Sequence, residues 1–280
     1  GHHLLSDRRQ STINMKIDSW PSKVAHRLRG TAYCLITLNR RACTGLSDHL
    51  PHARFNINEA YRREVARRLG MLNPDAVVAD VGGGRSCCFA RHRPPGVWLV
   101  AIDVSAEELA LNRDVDETRV GDCSRHLPMA DGEADMLVSH SAIEHFDDVS
   151  GFVAEARRVL KPGGWFINTF PCRFAPFALI NQLLPPQLSR FVLRSVFPGS
   201  EGVLGYRAFY DRCYPSGFFP LLRRNSLMVE GVMVSYSQSG YFDFFLPLYV
   251  ASLGYELIVW CADARELAAY LLVSARRVGR

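Results

Sequence analysis

Three aspartates, a run of three glycines and a histidine–glutamate–histidine cluster are the residues of this chain best suited to chemistry. Asp80 closes the apolar, largely β-branched run Val77-Val78-Ala79-Asp80-Val81, which leads directly into Gly82-Gly83-Gly84. That pattern predicts a buried parallel strand ending in a tight turn. Glycine at such a turn leaves no Cβ between the main chain and a ligand. Asp103 ends a second apolar run, Val97 to Ile102, about twenty residues further on, where an acid can accept both hydroxyls of a ribose. Asp122 closes the shorter Thr118-Arg119-Val120-Gly121. Beyond a fourth apolar run, Ala134 to Ser139, lie His140, Glu144 and His145, and an imidazole that titrates near neutrality has the right intrinsic acidity for a general base.

A dinucleotide fingerprint would need a third glycine at position 87, which is Cys87, so a pyrophosphate ligand is disfavoured. The remaining pattern, Asp80-x-Gly82-x-Gly84 with Asp103 and Asp122 at successive strand ends, resembles the class I S-adenosylmethionine-dependent methyltransferases, in their small-molecule, ubiquinone-methyltransferase-like branch. The resemblance covers roughly Asn58 to Phe170, and Leu127-Pro128, Ala134 to Ser139 and Arg157 to Gly164 look like the family's fourth strand and its helix-to-fifth-strand turn. It implies that Asp80 with Gly82, Gly83 and Gly84 holds the methionine end of S-adenosylmethionine, Asp103 the ribose, and Asp122 the adenine amino group. Val104, Cys123 and Ser139 complete the implied cofactor set. Carboxylates suit a ligand that carries an ammonium, a sulfonium and two ribose donors, and no phosphate-binding lysine is needed. Ser86 replaces a frequent third glycine, a change that a helix N-cap tolerates. His140, Glu144 and His145 look like the family's E-x-x-E-H run, which has been associated with a divalent metal; Ser141 replaces the first acid, and no metal is expected.

These residues need a scaffold, and the pattern supplies one. Asn58 is expected to cap a helix from Glu59 to Leu69 that has Tyr61, Val65 and Leu69 on one face and Gly70 as its stop. Arg62, on its opposite flank, is placed to reach the cofactor's carboxylate. A short helix is expected around Ser86 to Arg91, and another from Ser105, whose cap is followed by Glu107 and Glu108. Strand and helix alternate, which argues for an α/β, Rossmann-like, doubly wound and mostly parallel seven-stranded sheet with its ligand beyond the strands' carboxyl ends. Residues 1–55 are expected to form a basic N-terminal helical arm, either docked over the cofactor cleft or serving nucleic acid, and residues 56–280 the methyltransferase-like domain. Within it, residues 172–214 read as a helical cap after strand five, with Phe174, Phe177, Leu179, Ile180, Leu183, Leu184, Phe191, Val192, Leu193 and Val196 at helix-like spacings. So apolar a cap favours a lipophilic or aromatic acceptor bound by Phe177, Tyr206, Arg207 and Tyr210. Helices at Pro215 to Arg224 and Phe242 to Ala262, with strands at Met228 to Tyr236 and Ala269 to Arg276, are expected to close the domain.

Composition narrows the remaining choices. With 280 residues and 48% hydrophobic content the chain can bury a full core. Its net charge of +5 is modest, and lysine occurs only at Lys16, Lys23 and Lys161. Eight scattered cysteines without zinc spacing argue for reduced thiols. No signal-peptide pattern appears in residues 1–30, and a cytoplasmic location is expected. The favoured function is methyl transfer from S-adenosylmethionine to a small acceptor, with oxygen preferred and a lipid contact through the cap. Two rivals stand beside it. One is a nucleic-acid methyltransferase using Cys172, which the Ser139-His140-Ser141-Ala142 sequence disfavours; the other is a non-catalytic S-adenosylmethionine-binding protein.

Overall fold

A strand covered on both faces must be apolar along nearly its whole length, and β1 (Val77–Val81) and β2 (Trp98–Asp103) are the most continuous examples in the chain. The computed structural model describes residues 38–43, 45–46, 50–185 and 206–279. Expectations for residues 1–37 and for Phe191, Val192, Leu193 and Val196 lie outside the described residues. With β3 (Glu117–Val120), β4 (Ala134–His140), β5 (Leu160–Pro171), β6 (Leu227–Ser235) and β7 (Tyr270–Arg277), the strands form one seven-stranded sheet in the order β3-β2-β1-β4-β5-β7-β6. The strands β1 to β5 pair in parallel, whereas β7 runs antiparallel between β5 and β6. The order reverses between β1 and β4, and there the crevice of an open α/β sheet lies.

Among the described residues, the sheet is accompanied by α1 (Ile57–Leu69), α2 (Ala106–Leu109), α3 (Val149–Val159), α4 (Pro176–Leu183), α5 (Pro215–Arg224) and α6 (Leu246–Cys261). Alternate side chains of β1 separate two cores. Ala79 and Val81 join Phe152 and Val153 of α3 and Phe218 and Leu222 of α5. Val78 joins Tyr61, Val65 and Leu69 of α1. Each such buried side chain contributes roughly 1.5–3 kcal/mol of transfer free energy.

The helix boundaries differ from expectation for local reasons. The cap of α1 is Asn56, whose side-chain oxygen accepts the Asn58 and Glu59 N–H groups, so that Asn58 lies inside the helix with its own amide free for another partner. Gly70 ends that helix in a right-handed conformation and not the left-handed one that glycine alone favours. Only a single tight turn, Ala90–His92, forms where a helix was expected near Ser86 to Arg91, because Pro94 forces Arg93 into extended backbone. The expected N-cap Ser105 does accept the Glu108 N–H at 3.2 Å, although α2 is only one turn long. In the N-terminal part, Arg40 pairs with Asp243 and Cys43 packs on Tyr249 and Leu253 of α6.

One buried acid fastens α1 to the sheet. Glu64 accepts the Ser274 hydroxyl at 2.8 Å and the Arg68 guanidinium at 2.9 Å, and Arg68 lies 3.3 Å over the Trp165 ring. Burial alone would raise its pKa, but the bonds from Arg68, Ser274 and Arg67 outweigh it and hold the carboxyl below the usual range. A carboxyl depressed in the folded state stabilises above its unfolded value and loses that contribution as pH falls. Glu64→Ala should therefore destabilise the protein by about 3 kcal/mol in urea unfolding at neutral pH. The gap between the two proteins should narrow once the pH drops below 4.5.

Candidate active site

No side chain can stand where β1 turns. A Cβ on Gly82, at φ +73°, would lie 2.3 Å from the Ala142 Cβ, and one on Gly83 would lie 3.0 Å from both the Ala101 Cβ and the Asp80 carbonyl oxygen. The Gly82 and Gly83 N–H groups donate to the Ile102 carbonyl at 2.8 and 3.2 Å. The next N–H, from Gly84, donates to Asp103 Oδ2 at 3.1 Å, while Asp103 Oδ1 accepts the Ser105 N–H at 2.9 Å. The glycine turn is thus tied to the end of β2, and Asp103 is oriented through both its oxygens. Asn112, which the sequence reading missed, donates its amide to the Gly84 carbonyl at 3.0 Å. Asn112 lies three residues past a one-turn helix, and its burial, which marks it out, is a property of the fold that gave no signal in the sequence.

The other acids gather around the same rim. Asp80 is buried, and that burial pushes its carboxyl up to about 7; the Cys87 thiol opposes the shift and the Asp103 charge adds to it. Asp122, just past β3, accepts the Ser124 N–H at 3.0 Å and the Ser124 hydroxyl at 2.6 Å. Cys123 is buried where Asp103, Asp122 and the Gly82 backbone all act on its thiol. Val104 is exposed beside Asp103, and Ser139 is fully buried with a hydroxyl that has no hydrogen-bond partner.

Across the switch point, Ser141 takes φ +52° and delivers Ala142 against the glycine turn, after which Ile143–His145 forms a tight turn. His140 Nε2 lies 3.0 Å from Asn58 Oδ1, and His145 Nδ1 lies 3.1 Å from the Arg207 carbonyl oxygen. Burial lowers both imidazoles, with the Arg62 charge adding to the effect at His140, so each is neutral at pH 7. The Glu144 carbonyl accepts the Phe209 and Tyr210 N–H groups at 2.7 and 3.0 Å. Its side chain is buried, its carboxyl pushed up to about 8 by that burial, and its Oε2 has no partner. Tyr210, Tyr241 and Tyr270 all feel the Glu144 charge, and the Tyr241 and Tyr270 hydroxyls meet at 2.5 Å. Phe177 stacks on the Tyr241 ring at 4.4 Å and on the Tyr270 ring at 5.7 Å. Phe177 and Tyr210 therefore belong to the aromatic wall near Glu144. Tyr206 and Arg207 are exposed outside it, Tyr206 edge-on to His145. Tyr241 and Tyr270 gave no sequence signal beyond being aromatic.

The profile of the methyltransferase domain family matches residues 79–168, the interval that carries the glycine turn, the three acids and the turn after β4. Residues 79–168 are thus similar to a methyltransferase domain. The demethylmenaquinone methyltransferase of Mycolicibacterium vanbaalenii is 26% identical over 138 residues, which cover 49% of this chain and 58% of that one. The dimethylglycine N-methyltransferase of Parasynechococcus marenigrum is 39% identical over 153 residues, covering 49% and 52%. The chain thus spans little more than half the length of these two relatives. Among solved structures, geranyl diphosphate C-methyltransferase from Streptomyces coelicolor A3(2) superimposes with a TM-score of 0.52 at 16% identity, over 79% of each chain, and so shares the class I methyltransferase fold.

The methyltransferase domain fits S-adenosylmethionine on its own geometry. The cradle leaves no room for a Cβ at Gly82 and little at Gly83, the Asp103 carboxylate is oriented at a strand end, and Asp80 is a buried acid whose ionisation an ammonium would favour. Asp103→Ala should weaken S-adenosylmethionine binding by roughly 1.5–3 kcal/mol, about ten- to a hundred-fold, in titration calorimetry. Because Asp80 must ionise to receive the ammonium, affinity should rise as pH climbs towards 7, and Asp80→Asn should flatten that dependence.

Proposed function

We propose that this protein transfers a methyl group from S-adenosylmethionine to a small, lipophilic or aromatic acceptor. The observation that carries the reading is the cradle itself: a turn with no room for a Cβ at Gly82 and little at Gly83, bonded to an acid whose two oxygens are both oriented by main-chain N–H groups. Asp80 and Gly82 to Gly84 would hold the methionine end, Asp103 and Val104 the ribose, and Asp122 and Cys123 the adenine side, with Ser139 beneath. When bound, the cofactor supplies an electrophilic methyl group on a sulfonium. The protein's part is then to align the acceptor in line, keep water out and take up a proton.

The acceptor side is supported by the aromatic wall of Phe177, Tyr210, Tyr241 and Tyr270, and by Leu179, Ile180 and Leu183 exposed along α4, where a lipophilic molecule or a lipid surface could dock. Oxygen is the acceptor atom that the sequence favours. For a hydroxyl acceptor, His140 and His145 are the available bases, both neutral and adjoining the methyl end of the cleft. The location read from the sequence is cytoplasmic; among the described residues no helix is long and apolar enough to cross a membrane.

The nucleic-acid alternative loses its nucleophile. Cys172 is fully buried, and that burial, with Glu266 nearby, pushes its thiol far above the usual range. Turnover should be followed as S-adenosylhomocysteine release across a panel of phenols, amines and lipid alcohols. Cys172→Ser should keep most of the activity, whereas Phe177→Ala should raise the acceptor KM with the S-adenosylmethionine affinity nearly unchanged. If a histidine is the base, His140→Ala or His145→Ala should lower kcat about a hundred-fold. Full activity in both variants would rule the imidazoles out.

A further inference from the structure

Among the described residues, Glu144 in the turn after β4 has no partner of opposite charge. Glu144 is 5% exposed, its Oε2 makes no hydrogen bond, and no described residue forms an ion pair with it. Such a burial is costly without a ligand or a proton to neutralise it. The site is also built with some strain: Tyr210, a bulky residue, sits at φ +52°, where the Glu144 carbonyl holds its N–H, and Ser141 on the other side sits at φ +52° as well. The Tyr210 N–H bonds to the Glu144 carbonyl, Phe177 stacks on Tyr241 and Tyr270, and Tyr210, Tyr241, Tyr270 and Cys213 are all close enough to Glu144 to feel its charge.

The chemistry of this enclosure selects among acceptors. A phenolate, a carboxylate or a diphosphate would oppose the ionisation of Glu144, and among the described residues no cation is paired there to hold such an anion. An ammonium favours the ionised form of Glu144, and the aromatic rings of the neighbouring tyrosines add to the attraction of a cation. We infer that the acceptor is an aromatic or lipophilic primary or secondary amine whose nitrogen sits on Glu144 inside the Tyr210, Tyr241 and Tyr270 wall. This rests on the methyl-transfer reading above and replaces oxygen by nitrogen as the acceptor atom.

The proton and electron balance is simple. The amine enters as its ammonium form and gives one proton to the Glu144 carboxylate, leaving a neutral amine and a neutral carboxyl. The nitrogen lone pair then forms the N–C bond to the methyl carbon as the C–S bond breaks, and that bonding pair stays on sulfur as a thioether. The product leaves as an N-methylammonium that carries the charge the sulfonium has lost. Burial pushes the Glu144 carboxyl up to about 8, a range in which it can take and return a proton at neutral pH.

Calorimetry on the full chain, loaded with S-adenosylhomocysteine, can test this with benzylamine and benzyl alcohol as matched probes. Benzylamine should bind about tenfold or more tighter than the alcohol. Glu144→Gln should remove that preference and leave S-adenosylhomocysteine affinity unchanged, which also reports that the variant is folded. Tyr241→Leu should weaken benzylamine several-fold by removing one π face. Equal affinities for the two probes, a preference that survives Glu144→Gln, or no saturable benzylamine binding by a protein that does bind S-adenosylhomocysteine would each overturn the inference and leave methyl transfer standing. A wild-type chain that fails to bind S-adenosylhomocysteine would instead remove the methyl-transfer reading, and the amine acceptor with it.

Discussion

A side chain at position 82 would collide with Ala142, and one at position 83 with Ala101 and the chain's own Asp80 carbonyl. That steric exclusion brings three strands to one point. It lets the turn after β1 lie against the turn after β4 and lets the Gly82 and Gly83 amides reach the Ile102 carbonyl at the end of β2. The Asp103 carboxylate then closes the arrangement by bonding to Gly84 on one side and Ser105 on the other. Asp103 accordingly fixes the geometry of the turn, and the ribose recognition proposed for it would use charge-assisted bonds of the same kind.

The acceptor side is held by a separate device. Glu256 of α6 is fully buried, with His52 3.3 Å away, and its carboxyl accepts the N–H groups of Gln238 and Ser239. Gln238 in turn accepts the Phe177 N–H at 3.2 Å, and the Ser239–Phe242 turn that Glu256 caps carries Tyr241. The buried acid on α6 thus sets where the Phe177–Tyr241 stack stands. The cofactor cradle depends on β1, β2 and β4, whereas the acceptor wall depends on α4, α6 and β7. Selection can change the acceptor wall without disturbing the cradle, which accords with relatives named for acceptors as different as demethylmenaquinone and dimethylglycine.

The sheet and the cofactor side were legible in the amino-acid order because their signals are local. An apolar run encodes a strand within a few residues, and its end is marked by glycines after β1 and by an acid at the end of β2. Helix ends were read less well. The choice between Asn56 and Asn58 as the cap of α1 depends on which side chain folds back, and Asn58 has a competing partner in His140, far along the chain. The short helix expected near Ser86 gave way to the extended backbone that Pro94 demands one residue earlier.

The sequence alone therefore determined the sheet, the cradle and the three acids, since each follows from neighbouring residues and their backbone preferences. Tertiary structure decided the rest. Tyr210, Tyr241 and Tyr270 converge on Glu144 only because β7 inserts antiparallel beside β5 and the segment before α5 bonds back to the turn after β4. The same convergence makes Glu144 a buried, unpaired acid, whereas Tyr206 and Arg207, adjacent in sequence to this wall, were left outside it. Burial and electrostatic environment are properties of what the fold packs around a residue, and no local spacing encodes them.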